Sequence, residues 1–444
     1  MRQANDQKTR VVLFGHFGQY YNFGNESTLQ AILYHLRHLL PDPEITCVCT
    51  DPESTAAAYN IIAVPTRGSI AQPWRSRNRL VQAIRKVLIG IPNEVCQWFV
   101  AGRLMMRTDL FIIPGTGLLT DAFGLMSWGP YNIFKWSLLA KLFRCKLAYV
   151  SVGAGPLRGG LGRFFMKAAL GLADYRSYRD AATKKYLNDI GLRTDADPIY
   201  PDLAFSLPQT EAPSVVDDDN SRTVIGLGLM HHGSMYGEGR PSCAAYERYL
   251  ETLITFVEWA ISGGYDVKLL IGDVGDRSVT AGLYQRLQER LSCDDAKHVS
   301  NPHVASVGQL LAEIASTDAV VASRFHNLLL GFLLNKPAVA ISFHSKCSSL
   351  MDAMGMSEYS LSINNLCADE LTAKFRQMRE RDSLLKSAIK QKAEGYRKEL
   401  DEQYQIVVRQ VGDKGRAAAS ERGSYDAAFE TGSTTKPRMD RKAW

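Results

Sequence analysis

The chain has 444 residues, longer than one hydrophobic core usually grows, so two domains are expected. Hydrophobic residues make up 45% and charged ones 22%, a globular composition that excludes a collagenous, disordered or disulfide-dense chain. The formal charge of +6 is modest for this length and the basic residues are spread along the chain, which points away from nucleic acid and leaves anionic small substrates open.

The opening residues MRQANDQKTR are polar and lead straight into a strand-like run, without the apolar stretch of a signal peptide. RVVLFG at 10–15, EITCVCT at 44–50, DLFIIPG at 109–115 and KLAYVSVGAG at 146–155 are short apolar runs separated by helical patterns. This alternation predicts a parallel, doubly wound sheet. Within 74–91, Leu80, Ile84, Val87, Leu88 and Ile91 keep helical spacing opposite Arg75, Arg77, Arg79, Arg85 and Lys86. Such a helix either packs its apolar stripe on the sheet or lies on an anionic membrane surface.

Residues 209–222 contain Pro213 and three successive aspartates at 217–219, the composition of a solvated linker. A second series follows: TVIGLGLM at 223–230, YDVKLLIGD at 265–273, DAVVAS at 318–323 and AVAISF at 338–343. The expected organisation is thus an α/β domain over 1–210, a linker over 211–222 and a second α/β domain over 223–411. Residues 412–444, rich in Gly, Ser, Thr and charge, are expected not to pack. No run reaches the roughly 20 apolar residues that span a bilayer. Eight cysteines at scattered positions, without a CxxC pair, fit a reduced, cytoplasmic chain that is soluble or at most peripheral to the membrane.

In open α/β sheets ligands bind at the carboxyl ends of strands, where helix N-termini offer unpaired backbone N–H groups. SRFHN, between DAVVA and LLLGFLL, puts Arg324 and His326 at such a switch. Arg324 there offers a bidentate fork for carboxylate or phosphate, and His326 exchanges a proton near neutrality. Equally, Arg324 pairs with a neighbouring carboxylate while His326 caps the helix. HSK places His344 and Lys346 at another strand exit, facing the same cleft if the strands are neighbours. Arg179 and Asp180 open a helix that Asp180 suits as N-cap.

The runs GTGLLT (115–120), GAGPLRG (153–159) and GLGLMHHG (226–233) contain GxG but complete no dinucleotide fingerprint. Their glycines fit turns and close backbone approach. P-loop, HExxH, EF-hand and GxSxG patterns are absent, and His231, His232 and the acidic runs at 217 and 273 are expected in loops, so neither metal nor cofactor is expected.

The order and context of these loops resemble the polysaccharide pyruvyl transferase family, whose members move a pyruvyl group from phosphoenolpyruvate onto sugar hydroxyls. GHFGQYYNFGNESTLQAIL resembles the family's Gly-rich opening through Asn22, Gly24 and Glu26, with Asn25 where Asp is usual. PGTGLLTD is similar to its glycine-rich stretch through Gly115, Gly117 and Asp121, and SVGAGPL to the next loop through Gly153, Gly155 and Pro156. SYRDAATKKYLNDIGL and YPDLAFSL resemble an SxRD helix and a DPAF-like strand, with Leu203 where Pro is common. DAVVASRFHNLLLGFLLNKPAVAISFHSK resembles the R-x-H helix, the Pro-capped strand after it and the terminal Lys, Phe343 and His344 replacing the usual Tyr and Asp.

The resemblance implies two facing Rossmann-like domains of GT-B type, with phosphoenolpyruvate in the cleft and an oligosaccharide or lipid-linked saccharide as acceptor. It implies that Arg324 clamps the carboxylate or phosphate, that His326 donates or accepts a proton, and that Arg179 and Lys346 neutralise the remaining charge. His344, Asn22, Gly24, Glu26, Gly115, Gly117, Asp121, Gly153 and Gly155 complete the implied substrate site. Two rival readings stand beside it: a nucleotide-sugar glycosyltransferase on the same fold, and a non-catalytic sugar- or nucleotide-binding module. Against the first, residues 324–357 hold no Glu, which such enzymes often use to hold the ribose.

Overall fold

The structure is a computed structural model that describes residues 8–18, 22–66, 86–122, 124–125, 129–208, 222–235 and 241–429. Its first half alternates strands and helices: β1 (Arg10–Phe14), α1 (Phe23–Leu39), β2 (Glu44–Cys49), α2 (Pro52–Tyr59), β3 (Ile62–Pro65), α3 (Ile91–Met105), β4 (Leu110–Pro114), α4 (Pro130–Leu142), β5 (Lys146–Val152), α5 (Gly160–Gly171), β6 (Tyr175–Tyr178) and α6 (Ala181–Asp189). The strands pair in parallel in the order β3-β2-β1-β4-β5-β6. Val11 to Phe14 and all five residues of β4 are buried, as strands covered by helices on both faces require.

The second half repeats the plan with β7 (Val224–Gly228), α7 (Cys243–Ser262), β8 (Asp266–Leu270), α8 (Arg277–Arg290), β9 (Val299–Ser300), α9 (Val307–Ala315), β10 (Ala319–Ala322), α10 (Phe325–Leu333), β11 (Ala338–Ser342), α11 (Ser345–Ala353), β12 (Ser360–Ser362), α12 (Ala368–Glu380) and α13 (Asp382–Phe429). Its parallel order is β12-β11-β10-β7-β8-β9. The fold is therefore the doubly wound pair expected from the sequence.

Two of the ties between the halves use buried or capping side chains. At the start of α1, Asn22 caps the helix through Oδ1, which accepts from the N–H groups of Gly24 and Asn25, and its Nδ2 donates to Asp273 after β8 at 3.1 Å. The backbone N–H of Phe23 donates to the Gly272 carbonyl alongside. At the other end of the chain, α13 crosses back onto the first sheet. Buried Gln403 accepts from Ser151 Oγ at 3.1 Å and donates to Ser177 Oγ at 2.7 Å, while Tyr404 stacks on His35 with ring centroids 4.1 Å apart. One hydrophobic core accordingly runs through α1, α10 and α13.

One sequence expectation changes here, and two fall largely outside the described residues. YPDLAFSL forms no strand; residues Leu203–Ser206 make a 3-10 turn in which the Asp202 carboxylate accepts from the Ala204 N–H. The expected amphipathic helix over 74–91 lies outside the described residues except for a π-helical turn, Lys86–Gly90, that leads into α3. The backbone of α13 runs helically past residue 412 to Phe429, where the sequence announces no element; the linker over 211–221 and residues 430–444 lie outside the described residues.

Candidate active site between the domains

A cavity of about 680 Å³ opens between the carboxyl ends of the two sheets. From the first domain it is lined by Gly155 and Pro156 after β5 and by Arg179, Asp180, Thr183 and Tyr186 at β6 and α6. From the second come Ser342, Phe343, His344, Ser345 and Lys346 after β11, with Ser348, Ser349, Ser360, Ser362 and Asn364. Arg179 thus lines the same cavity as His344 and Lys346, more than 160 residues further along the chain, and Asp180 is the acid among the lining residues.

Arg179 leaves β6 and is held on three sides. Its Nη1 donates to the buried Asp202 at 3.2 Å, its Nε lies 3.5 Å from Asp180, and its guanidinium stacks 5.0 Å over the Phe325 ring. Gly153 makes room for it: a Cβ there would lie 2.8 Å from the guanidinium nitrogen. Asp180 also caps α6, accepting from the Thr183 N–H at 2.6 Å. The carboxylates fix where the arginine points.

Lys346 sits in the first turn of α11, and its ammonium has no hydrogen-bond or ion-pair partner among the described residues. Burial and then the Arg179 charge lower its pKa to about 8, against the opposite pull of Asp180. His344 caps the same helix, its Nδ1 accepting from the Lys346 N–H at 3.2 Å. That bond leaves Nδ1 unprotonated, so the neutral ring carries its proton on Nε2. Burial, followed by Lys346 and Arg179, holds its pKa at about 4.

His326 lies at the neighbouring strand exit, in the first turn of α10 and against Gly24 of α1. Its pKa is lowered to about 4 by burial, with Arg179, Arg324 and Lys346 adding to the effect and Asp202 opposing it. It does not line the cavity itself, but the charges of the cavity reach it.

Arg324 departs from the anion clamp expected of it. Its guanidinium grips the fully buried Asp276 in a bidentate pair, Nε to Oδ2 at 2.7 Å and Nη2 to Oδ1 at 2.5 Å. Asp276 also accepts from the His231 N–H at 2.9 Å. The alternative sequence reading of Arg324, an ion pair, describes this geometry.

The remaining candidates divide. Gly155 lines the cavity against Thr120, and Asn22 and Gly24 build the domain junction. Glu26 is buried beneath α1, accepting from the Gly18 N–H and the Tyr59 hydroxyl at 2.7 Å each, and burial raises its pKa despite those bonds. Asp121 accepts from the N–H groups of Arg158 and Gly159, holding the loop before α5. Gly115 passes so close to β5 that a Cβ would meet the Ser151 carbonyl at 2.1 Å, whereas Gly117 adopts a φ of +69° with open space around it. These shape loops and do not reach the cavity.

Sequence reasoning missed Asp202, Asp276, Phe325 and the serine-rich wall. Asp202 was within reach as the acid of YPDLAFSL, and Phe325 as the residue between Arg324 and His326. Asp276 belongs to the acidic run at 273, which was expected only to form a loop.

Residues 22–345 match the model of the family described as polysaccharide pyruvyl transferase. The chain belongs to that family. It is accordingly a transferase. A search of curated proteins finds no match. Among solved structures, the S. aureus MnaA–UDP co-structure aligns with a TM-score of 0.53 at 10% identity over 86% of this chain and 90% of that one. A putative UDP-N-acetylglucosamine 2-epimerase from Listeria monocytogenes gives 0.54 at 10% identity over 86% and 91%. Anabaena HepE in complex with UDP-glucose gives 0.53 at 10% identity over 92% and 99%. At such identities the likeness is one of fold, the GT-B arrangement of two facing Rossmann-like domains.

Proposed function

We propose that this pyruvyl transferase family member uses phosphoenolpyruvate as donor and forms a cyclic ketal on two hydroxyls of a saccharide in cell-surface polysaccharide synthesis. The observation that carries the reading is Lys346. An ammonium enclosed beside a guanidinium, with its pKa held at about 8, is an arrangement that an anion stabilises. Phosphoenolpyruvate brings two anionic groups, and the two domains offer one cation each, Arg179 and Lys346. The N-terminal N–H groups of α11 add a positive dipole end.

The chemistry asks for a proton at the methylene carbon, a cationic centre at the next carbon, and attack there by two hydroxyl oxygens as the bond to phosphate breaks. Of the two hydroxyl protons released, one ends on the new methyl group and the other on phosphate, so the balance closes without a further reactant. His326, neutral at pH 7 but set behind the cavity wall, suits the role of accepting a hydroxyl proton relayed by a water or a wall hydroxyl, and the arriving negative charge of the donor raises its basicity. His344, with its proton on Nε2, offers a hydrogen bond to the donor. Ser342, Ser345, Ser348 and Ser349 give the second-domain wall hydroxyls that match a polyol.

Phosphate release from phosphoenolpyruvate, measured with a panel of soluble and lipid-linked saccharides, tests the reading. Acceptor-dependent release that is lost in Lys346→Ala and His326→Ala supports it. Thermal stabilisation by a nucleotide sugar and none by phosphoenolpyruvate would replace it with a nucleotide-sugar glycosyltransferase.

A further inference from the structure

The first domain has an exposed apolar face. On α3, Ile91, Val95, Phe99 and Val100 recur at helical spacing on the solvent side, Phe99 being 75% exposed, whereas the polar Gln97 is buried. Leu88 and Ile89 extend this stripe ahead of the helix, and α5 exposes Leu161 and Phe164, the latter by 60%. Tyr131 of α4 joins the two helices: it accepts from Trp98 Nε1 of α3 at 3.1 Å and meets Phe165 of α5 edge-on at 5.5 Å. Helices α3 and α5 therefore flank α4 at Tyr131, each with exposed apolar side chains next in sequence to its contact residue, Phe99 after Trp98 and Phe164 before Phe165. Scattered exposed apolar side chains are ordinary, but a helix that buries Ala101 and Met105 on one side and still presents a second apolar stripe to solvent is not.

Charge says what covers it. Contrary to the even spread read along the chain, residues 67–173 hold fifteen of the Lys and Arg against three acids, Glu94, Asp109 and Asp121; among the described ones Lys135 is buried on Glu94, and Lys141 and Lys146 pair with Asp174 just beyond, so the arginines carry the surplus. All three acids are occupied. Glu94 turns inward to Lys135 and Tyr131, Asp109 accepts from the Arg10 N–H, and Asp121 accepts from the backbone before α5. The rest of the chain is net acidic by six. Arg103, Arg107, Arg158 and Arg163 remain exposed around the apolar residues.

We propose that this face docks on an anionic phospholipid surface, with α3 and the start of α5 inserting their apolar side chains between the headgroups and the arginines pairing with lipid phosphates. Among the described residues no helix is long and apolar enough to cross a bilayer, so the contact is one of lying on the surface. A second copy of the chain is the poorer occupant, because a two-fold interface sets the same patch against itself and brings like charges together. The proposal does not depend on pyruvyl transfer, since vesicle binding needs neither donor nor acceptor.

Co-sedimentation of the full-length protein with vesicles of phosphatidylcholine alone, or with roughly 30 mol% phosphatidylglycerol, tests it. Retention on the anionic vesicles is expected, weakened in about 0.5 M salt by screening. It should fall by about tenfold or more in Phe99→Ser/Phe164→Ser and in Arg103→Glu/Arg107→Glu, at unchanged melting temperature, each of these side chains being exposed. No retention on anionic vesicles, retention that both double variants keep, or a dimer in solution that Phe99→Ser/Phe164→Ser dissociates would each overturn the proposal.

Discussion

Gly24 of the first domain approaches His326 of the second so closely that a Cβ at position 24 would lie 1.9 Å from the imidazole Nδ1. The glycine is thus a matter of room for a partner across the domain junction. Gly24→Ala forces the ring to rotate or the junction to open, and overpacking of this kind costs about 1–3 kcal/mol. If His326 is the proton acceptor, its displacement lowers turnover by about 10²–10⁴-fold. Denaturant melts of Gly24→Ala, His326→Ala and the double variant check the geometry. The double variant should be no less stable than His326→Ala alone, because the methyl group then occupies the space the ring has left.

Arg324 and Lys346, both candidate cations in the sequence, are expected to fail in different ways. Arg324→Ala strands the fully buried Asp276, and leaving one partner of a buried pair uncompensated costs about 3–5 kcal/mol. Lys346→Ala removes a charge that burial already disfavours, so folding is expected to be unharmed while phosphate release from phosphoenolpyruvate collapses. Thermal melts beside turnover separate the two. A Lys346→Ala protein that melts earlier and still turns over would reverse the assignment.

The central strands were legible because they are apolar on both faces; β1, β2, β4, β5, β7, β8, β10 and β11 all lie where the sequence runs announced them. Of the four sheet edges, β3, β9 and β12 were not announced, and β6 showed only through its end at Arg179. An edge strand has one neighbour and a half-covered face, so it is short: four residues in β3, three in β12 and two in β9, too few to show a pattern. The loops carrying Arg179, His344 and Lys346 were legible for the same reason as the strands they follow. What the sequence could not supply was pairing at a distance: nothing near Arg324 marks Asp276 as its partner, and nothing near Ser151 marks Gln403.

Gln403 makes a separate prediction about how the domains are held. Its side-chain amide, fully buried on α13, is the link to Ser151 on β5 and Ser177 on β6. Gln403→Ala breaks both bonds; Ser177 Oγ keeps the Ser151 N–H and the Tyr149 carbonyl, whereas the buried Ser151 hydroxyl loses its acceptor, at about 1–3 kcal/mol for a group left unsatisfied. Hydrogen exchange should rise along the second half of α13 before it rises in the central strands, because the helix loses its polar anchor while the sheet keeps its ladder.

The pH dependence of donor use turns on Lys346. A lysine is cationic below its pKa, and here that pKa is about 8, so the charge that meets the donor is present at pH 7 and disappears as pH rises through 8. kcat/KM for phosphoenolpyruvate, which reports the free enzyme, is expected to fall above pH 8 by about tenfold per unit. Stability moves the other way. The unfolded chain keeps its lysine proton up to about 10.4, so between the two values it binds more protons than the folded one, and this residue's contribution to stability rises with pH. Activity lost while the Lys346 contribution to stability improves distinguishes titration of the site from unfolding. In Lys346→Arg the guanidinium stays charged, and the alkaline limb should vanish from the profile; a limb that persists there would assign the titration to another group.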